Sequence, residues 1–299
     1  MGRSLATALP LDFFVDRHLT EPARWPVGLT AQKATIDARE ARMQPCRGRV
    51  ALVTGSSRGL GRVIARRLSE AGADVVVNYR KVGGRSEAQA RALAKELVER
   101  GSRAVAIQAD ISQKESVTAM FQQIAAEHGR LDILVLNAAR APFKRVDELL
   151  TRDLLELIET NYLGNIYCMQ QALPLMRGRP GHVVFISSLG SRFVLPSYPL
   201  GSMKAAMESL VKQWAAELQD RQITVNGVTA GLLKTDSLMV LRQYWPGVGR
   251  LPASAFVELD DVAAVVRFLC TDAARGIRGQ NIVVDNGLCN DILHGSPAG

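Results

Sequence analysis

From Arg49 onward, short runs rich in β-branched residues alternate with longer segments whose apolar positions recur every three to four residues. The runs at residues 50–54, 74–79, 104–109 and 133–136 read as strands, and the segments between them read as amphipathic helices. Residues 182–187, 223–228 and 282–284 continue the series, which makes seven strands in βα alternation. All are apolar enough to be buried on both faces, as in a parallel, doubly wound α/β sheet. A ligand on such a sheet sits beyond the carboxyl ends of the strands, where the strand order reverses.

Residues 1–47 differ from the rest. Pro10, Pro22, Pro26 and Pro45 interrupt any long helix, and no alternation marks a strand. The stretch reads as an N-terminal extension that packs on the body or on a second subunit, ahead of one domain over residues 48–299. Its arginines are those of a transit peptide, but Asp12, Asp16, Glu21, Asp37 and Glu40 argue against one, and the apolar core of a secretory signal is missing. No run approaches the roughly 18 apolar residues of a membrane span. The cysteines Cys46, Cys168, Cys270 and Cys289 lack metal or redox spacing, which fits a reduced, cytoplasmic setting. His18, His128, His182 and His294 form no spaced pair, so no metal is implied. The net charge of +8 admits an acidic partner such as a carrier protein. The basic residues are spread without a dense block, and neither nucleic acid nor a membrane is expected as a partner.

The first strand runs into Thr54-Gly55-Ser56-Ser57-Arg58-Gly59-Leu60-Gly61, and a helical stretch over residues 62–71 follows at once. Strand, glycine-rich turn and helix stand in the order that dinucleotide binding requires. Gly55 permits the tight turn, Gly59 lets backbone approach a pyrophosphate, and Gly61 lets the helix pack close to the sheet. The fold expected is therefore a single Rossmann-type domain. NAD-preferring folds place a carboxylate at the end of the second strand to bind the ribose 2′-hydroxyl. Here that strand ends in Asn78-Tyr79-Arg80-Lys81, and with Arg58 in the loop these cations suit a 2′-phosphate, so NADPH is the cofactor expected.

Over residues 48–287 the chain resembles the short-chain dehydrogenase/reductase family. The loop 54–61 is similar to that family's T-G-x-x-x-G-x-G, Asp110 to its adenine contact, Asn137-Ala138-Ala139 to its N-A-G stretch, and Asn161 to its active-site helix asparagine. Arg278-Gly279-Gln280 and Val284-Asp285-Asn286-Gly287 resemble the family's last strand. Arg140 stands where the third motif usually keeps glycine, and Ala230-Gly231 where Pro-Gly is usual. The resemblance implies cofactor contacts at Gly55, Ser57, Arg58, Gly59, Leu60, Gly61, Arg80, Asp110, Ile111, Asn137, Ala138, Lys204 and Thr235. It also implies a homodimer or homotetramer.

Most members of the family place a tyrosine four residues before a lysine, but Leu200 holds that position before Lys204. The nearest tyrosine, Tyr198, precedes Lys204 by six, and on one continuous helix that offset would turn the two side chains about 120° apart. Pro199 resolves the difficulty, since proline suits the first helical position and excludes α geometry from the residue before it. A helix is therefore expected to begin at Pro199, with Tyr198 at its mouth. The pattern Ser187-Ser188-Leu189-Gly190 followed by Pro196 and Tyr198 resembles the NADPH-using enoyl-acyl-carrier-protein reductases of the family, whose tyrosine precedes the lysine by seven. That resemblance implies catalytic roles for Tyr198, Lys204 and Ser188, with Ser187 as the alternative serine, acting on an acyl thioester. A 3-oxoacyl or ketone reductase, and a non-catalytic dinucleotide-binding protein, are the other readings open to the sequence. Residues 232–256, with Tyr244 and Trp245, lie where the family keeps a substrate lid.

Overall fold

The computed structural model describes residues 44–290, so the expected extension lies outside the described residues except for its last four. Of these, Cys46 is fully buried, and its amide donates to the carbonyl of Ala71 at 2.8 Å. Seven strands form one parallel sheet: β1 (Val50–Val53), β2 (Asp74–Tyr79), β3 (Ala104–Gln108), β4 (Ile133–Leu136), β5 (Gly181–Ser188), β6 (Ile223–Ala230) and, after a short two-stranded ribbon, β9 (Asn281–Val284). The order across the sheet is β3-β2-β1-β4-β5-β6-β9. It reverses between β1 and β4, which is the switch point expected for a ligand site.

Helices cover both faces. On one side α1 (Gly59–Glu70) and α2 (Arg85–Glu99) pack with α8 (Leu259–Leu269); on the other lie α3 (Lys114–His128), α5 (Gly164–Leu175) and α6 (Leu200–Glu217). Two apolar cores result, one around Val53, Ile64, Val77 and Val266, the other around Leu52, Leu134, Phe185 and Met207. Because successive residues of a strand face opposite sides, Leu52 and Val53 feed different cores, and β1, lying inside the sheet, is buried throughout. Burial on both faces holds for the inner strands and is incomplete for β3 and β9. These edge strands have a neighbour on one side only and are half-buried over most of their length.

The remaining elements gather at the carboxyl ends of the strands. Between β4 and β5 the chain forms α4 (Thr151–Ile158), which runs through a π-helical turn at Glu159–Leu163 into α5. After β6 come β7 (Leu232–Leu233), α7 (Asp236–Tyr244) and β8 (Phe256–Val257), where β7 and β8 pair as a parallel ribbon that the hydrophobic pattern did not announce. Among the described residues no helix is long and apolar enough to cross a membrane.

The opposite end of the sheet is closed by a buried histidine. His182, at the start of β5, accepts from the Arg49 guanidinium through Nε2 at 2.8 Å, so its Nδ1–H donates to Thr224 at 2.9 Å. A neutral ring satisfies both contacts, and burial with the nearby Arg49 charge depresses the imidazole pKa to about 4. The unfolded chain takes up this proton near pH 6.5 while the folded chain resists it. Stability should therefore fall as pH drops from about 6.5 toward 4, by up to about 3 kcal/mol from this group. Urea unfolding of the protein and of His182→Gln at about pH 7 and pH 4.5 checks this: the variant should lose less stability on acidification, and equal losses would refute it.

Candidate active site

The glycine loop takes the shape its residues demand. Gly55 and Gly59 have left-handed backbones, with φ of +63° and +56°. A Cβ on Gly61 would lie 2.5 Å from the Asn137 amide and 2.7 Å from the Gly55 carbonyl, whereas one on Gly59 would meet nothing within 4 Å. The loop is therefore tight where α1 joins the sheet and open where α1 begins, and α1 starts without a side-chain cap. Asn137, at the end of β4, donates to the carbonyls of Thr54 and Gly55, and Ala138 lies against Gly55. The two strands flanking the switch point are thus stitched together at the site.

Asn78 is a residue the sequence reading passed over. It stands where a carboxylate would bind ribose, but it is buried, and its side-chain oxygen accepts from the Gly55 amide at 2.9 Å while its nitrogen faces the Ala109 carbonyl at 3.2 Å. It braces the loop from below. Arg80 is exposed just beyond it, and Arg58 reaches outward to an exposed pair with Asp236 at 2.8 Å. Thr235 sits at the N-terminal end of α7, so this pair ties the glycine loop to the start of that helix. Asp110 turns its carboxylate onto its own turn, accepting from the amide and hydroxyl of Ser112. The Ile111 carbonyl lies where a Cβ on Gly164 would come within 2.6 Å, so α5 approaches this loop backbone to backbone.

Asn161 lies in the π-helical turn, a local widening often found at functional sites. It is buried, accepts from the Arg140 amide at 3.0 Å and donates to the Arg140 and Leu157 carbonyls. The Arg140 side chain leaves in the other direction to pair with Glu156 at 2.8 Å.

The segment after β5 carries the hydroxyls. Ser188 closes the strand, and Tyr198 donates to its Oγ at 3.4 Å. Ser187 points elsewhere: its hydroxyl donates to Glu208 at 2.5 Å. The helix α6 begins at Leu200, with Pro199 as the cap at φ −64°, one residue later than expected. Tyr198 lies outside it, preceded by Ser197 in a left-handed conformation at φ +53°. Its ring rests on Gly190, where a Cβ would come within 2.7 Å, and it contacts Phe143 with ring centroids 5.6 Å apart. Phe143 in turn stacks on Tyr244 at the end of α7, with ring centroids 6.1 Å apart. Phe143 lies in a loop with no hydrophobic periodicity, so no pattern in the sequence marked it.

Lys204 is almost fully buried. Its ammonium donates to the Ile186 carbonyl at 2.6 Å and lies 4.7 Å above the Phe185 ring. Burial pulls its pKa down to about 8, against the Glu208 carboxylate one turn along the helix. Burial pushes the Tyr198 phenol up, and the contact with Ser188 offsets part of that. Among the described residues no group of three His, Cys, Asp or Glu side chains is arranged to hold a metal.

Sequence comparison identifies the family. The family described as Enoyl-(Acyl carrier protein) reductase matches residues 55–289. The chain belongs to the short-chain dehydrogenase/reductase family. A 1-cyclohexenylcarbonyl-CoA reductase of Streptomyces collinus is 39% identical over 264 residues, 86% of this chain and 89% of that protein. A 3-oxoacyl-[acyl-carrier-protein] reductase FabG of Staphylococcus aureus is 34% identical over 242 residues, 80% and 97% of the two chains. The solved structure of a gluconate 5-dehydrogenase from Burkholderia cenocepacia, in complex with NADP and tartrate, superposes with a TM-score of 0.75 at 30% identity, covering 83% of this chain and 99% of its own. A blue fluorescent protein from a metagenomic library, in complex with NADPH, gives a TM-score of 0.74 at 30% identity over 82% and 99%. The protein is an oxidoreductase of this family.

What positions α6 is the contact of Gly201 with Gly190: a Cβ on Gly201 would lie 2.1 Å from the Gly190 carbonyl oxygen. Gly201→Ala should force the helix away from the turn and cost about 1–3 kcal/mol of stability. Chemical denaturation reads this directly, and a variant as stable as the parent would show that the contact is not constraining.

Proposed function

We propose that this reductase family member uses NADPH to saturate the C=C bond of an α,β-unsaturated acyl thioester. The observation that carries the reading is the position of Tyr198: outside the helix, its hydroxyl next to that of Ser188, at the carboxyl end of β5. The fit of the cofactor is supported by the loop. Space above Gly59 is open, α1 starts there uncapped, and the exposed Arg80 and Arg58 offer cations for a 2′-phosphate where Asn78 leaves no carboxylate. The NADP and NADPH complexes among the solved relatives favour the same choice.

NADPH, when bound, supplies the hydride that reaches the β-carbon. The chain's own residues handle the charge that then develops on the thioester oxygen. Tyr198 turns its O–H to that oxygen while Ser188 donates to the phenol oxygen and orients it, and the resulting enolate takes a proton from solvent at the α-carbon to complete the saturation. Lys204, charged below about pH 8, adds positive potential behind the site and holds the cofactor ribose. Phe143 covers part of the Tyr198 ring and stacks in turn on Tyr244, an aromatic surface that suits an apolar acyl group. The thioester arrives on coenzyme A or on an acidic carrier protein, to which a chain of net charge +8 is complementary. Assembly as a homodimer or homotetramer is part of the same reading, supported by the apolar strip Leu150, Leu154, Leu155 and Ile158 left exposed on and beside α4.

Reduction of a 3-oxoacyl group is the second reading. The paired hydroxyls of Ser188 and Tyr198 favour it, since two donors converging on one carbonyl oxygen would serve proton transfer to it, and the 34% relative carries that name. Crotonyl and acetoacetyl thioesters offered in parallel with NADPH separate the two: oxidation of NADPH with crotonyl thioester is expected, and oxidation only with acetoacetyl thioester would replace the first reading by the second. Tyr198→Phe should then lower kcat by about a hundredfold or more with little change in NADPH binding. Unchanged turnover would remove Tyr198 from the mechanism. Arg80→Ala should narrow the preference for NADPH over NADH by about tenfold, checked by the ratio of kcat/KM for the two cofactors.

A further inference from the structure

Glu208 is a half-buried carboxylate behind the reacting segment, and neither the motifs nor the proposed mechanism uses it. It stands on α6 one turn after Lys204, with its side chain only 13% exposed. Three hydroxyls converge on its Oε1: Ser187 of β5 at 2.5 Å, Ser191 of the turn after β5 at 2.6 Å, and Thr229 of β6 at 3.1 Å. A carboxylate oxygen only accepts, so Ser187 and Thr229 donate to it, and Ser191 shares its single proton between Oε1 and the Ser188 carbonyl at 2.8 Å. Ser191 and Thr229 thus span the turn and the neighbouring strand, and Ser187 is the immediate neighbour of Ser188. The charged groups facing Glu208 from outside are Arg192, whose Nε lies 3.6 Å from Oε2, and Lys212 and Arg278, which line the same surface cleft. On the inner side stands Lys204, which otherwise meets the Ile186 carbonyl and the Phe185 ring.

We propose that Glu208 is the positioning residue of this site: it gathers the three hydroxyls that fix the turn bearing Ser188, and it supplies the negative charge that keeps the buried Lys204 protonated. The reading rests on the assignment of Lys204 to the cofactor site under the proposed function. A buried cation with no counter-charge loses its proton readily, and the low pKa of Lys204 shows burial already acting in that direction. Arg192 limits the effect by competing for the other carboxylate oxygen. The three hydroxyl bonds keep Oε1 directed inward.

The test follows Lys204 itself. Its Nζ titration in the cofactor-free protein, read by NMR with Lys204→Met to assign the signal, should move down by about one unit in Glu208→Gln. Glu208→Asp, which keeps the charge but draws it back from the hydroxyls, should titrate near the parent while losing kcat. In fluorescence titrations Glu208→Gln should bind NADPH about tenfold more weakly above pH 8 and near normally at about pH 6. A Lys204 titration that does not move in Glu208→Gln overturns the proposal, as does one that moves equally in Glu208→Asp. If Glu208→Gln does not fold, Glu208→Ala, which also removes the charge, takes its place and must show the same downward movement of the Lys204 titration. If Lys204→Met binds NADPH with the parent's affinity and pH dependence, the role of Lys204 at the cofactor fails, and the NMR titration still judges Glu208.

Discussion

The carbonyl oxygen of Gly190 occupies the place where a side chain on Gly201 would have to go, and the chemistry of the site follows from that contact. Helix α6 touches the turn after β5 backbone to backbone, closer than any pair of residues with side chains would allow. That closeness sets Tyr198 on top of Gly190 and beside Ser188, drives Lys204 under the sheet edge to the Ile186 carbonyl, and brings Glu208 within reach of hydroxyls on two strands. Two glycines eleven residues apart thus act as one contact point. The same device recurs at Gly61 with the Gly55 carbonyl and at Gly164 with the Ile111 carbonyl, so close backbone approach also shapes the glycine loop and the start of α5.

Dryness is the second organising influence. Burial disfavours the charged form of each group, so it raises the pKa of the Tyr198 phenol and lowers that of the Lys204 ammonium to about 8, and the two move apart along the pH axis without touching. In the more familiar arrangement, with lysine and tyrosine one helical turn apart, the cation acts directly on the phenol. Here the strongest contact of the phenol is a serine hydroxyl, and the strongest contact of the ammonium is a backbone carbonyl. The two serines of the pair have separate tasks: Ser188 faces the phenol, while Ser187 belongs to the carboxylate behind it.

The inner strands were legible because burial on both faces leaves a continuous apolar run, and all seven strands appear within two residues of their expected ends. The glycine loop was legible because each glycine answers to a distinct steric demand. What the sequence concealed was contact across distance. Asn78 looked like a missing carboxylate, yet it supports the Gly55 amide from a strand end. Phe143 lies in a stretch without periodicity, and its stacking on Tyr244 depends on how two distant segments of the chain meet. Glu208 reads in sequence as a polar position on an amphipathic helix, because the hydroxyls it gathers come from three separate places in the chain.

Ser197 gives the site a particular history. Its left-handed backbone, held by a bond from the Lys144 amide to its carbonyl at 3.1 Å, swings the chain so that Tyr198 is placed by the turn and not by the helix. The number of residues between tyrosine and lysine therefore carries no angular meaning here. A residue can be gained or lost in that interval without rotating the phenol away from Ser188. Genome surveys that recognise these enzymes by a fixed tyrosine–lysine interval would pass over this chain, whereas one keyed to the paired glycines at 190 and 201 would find it.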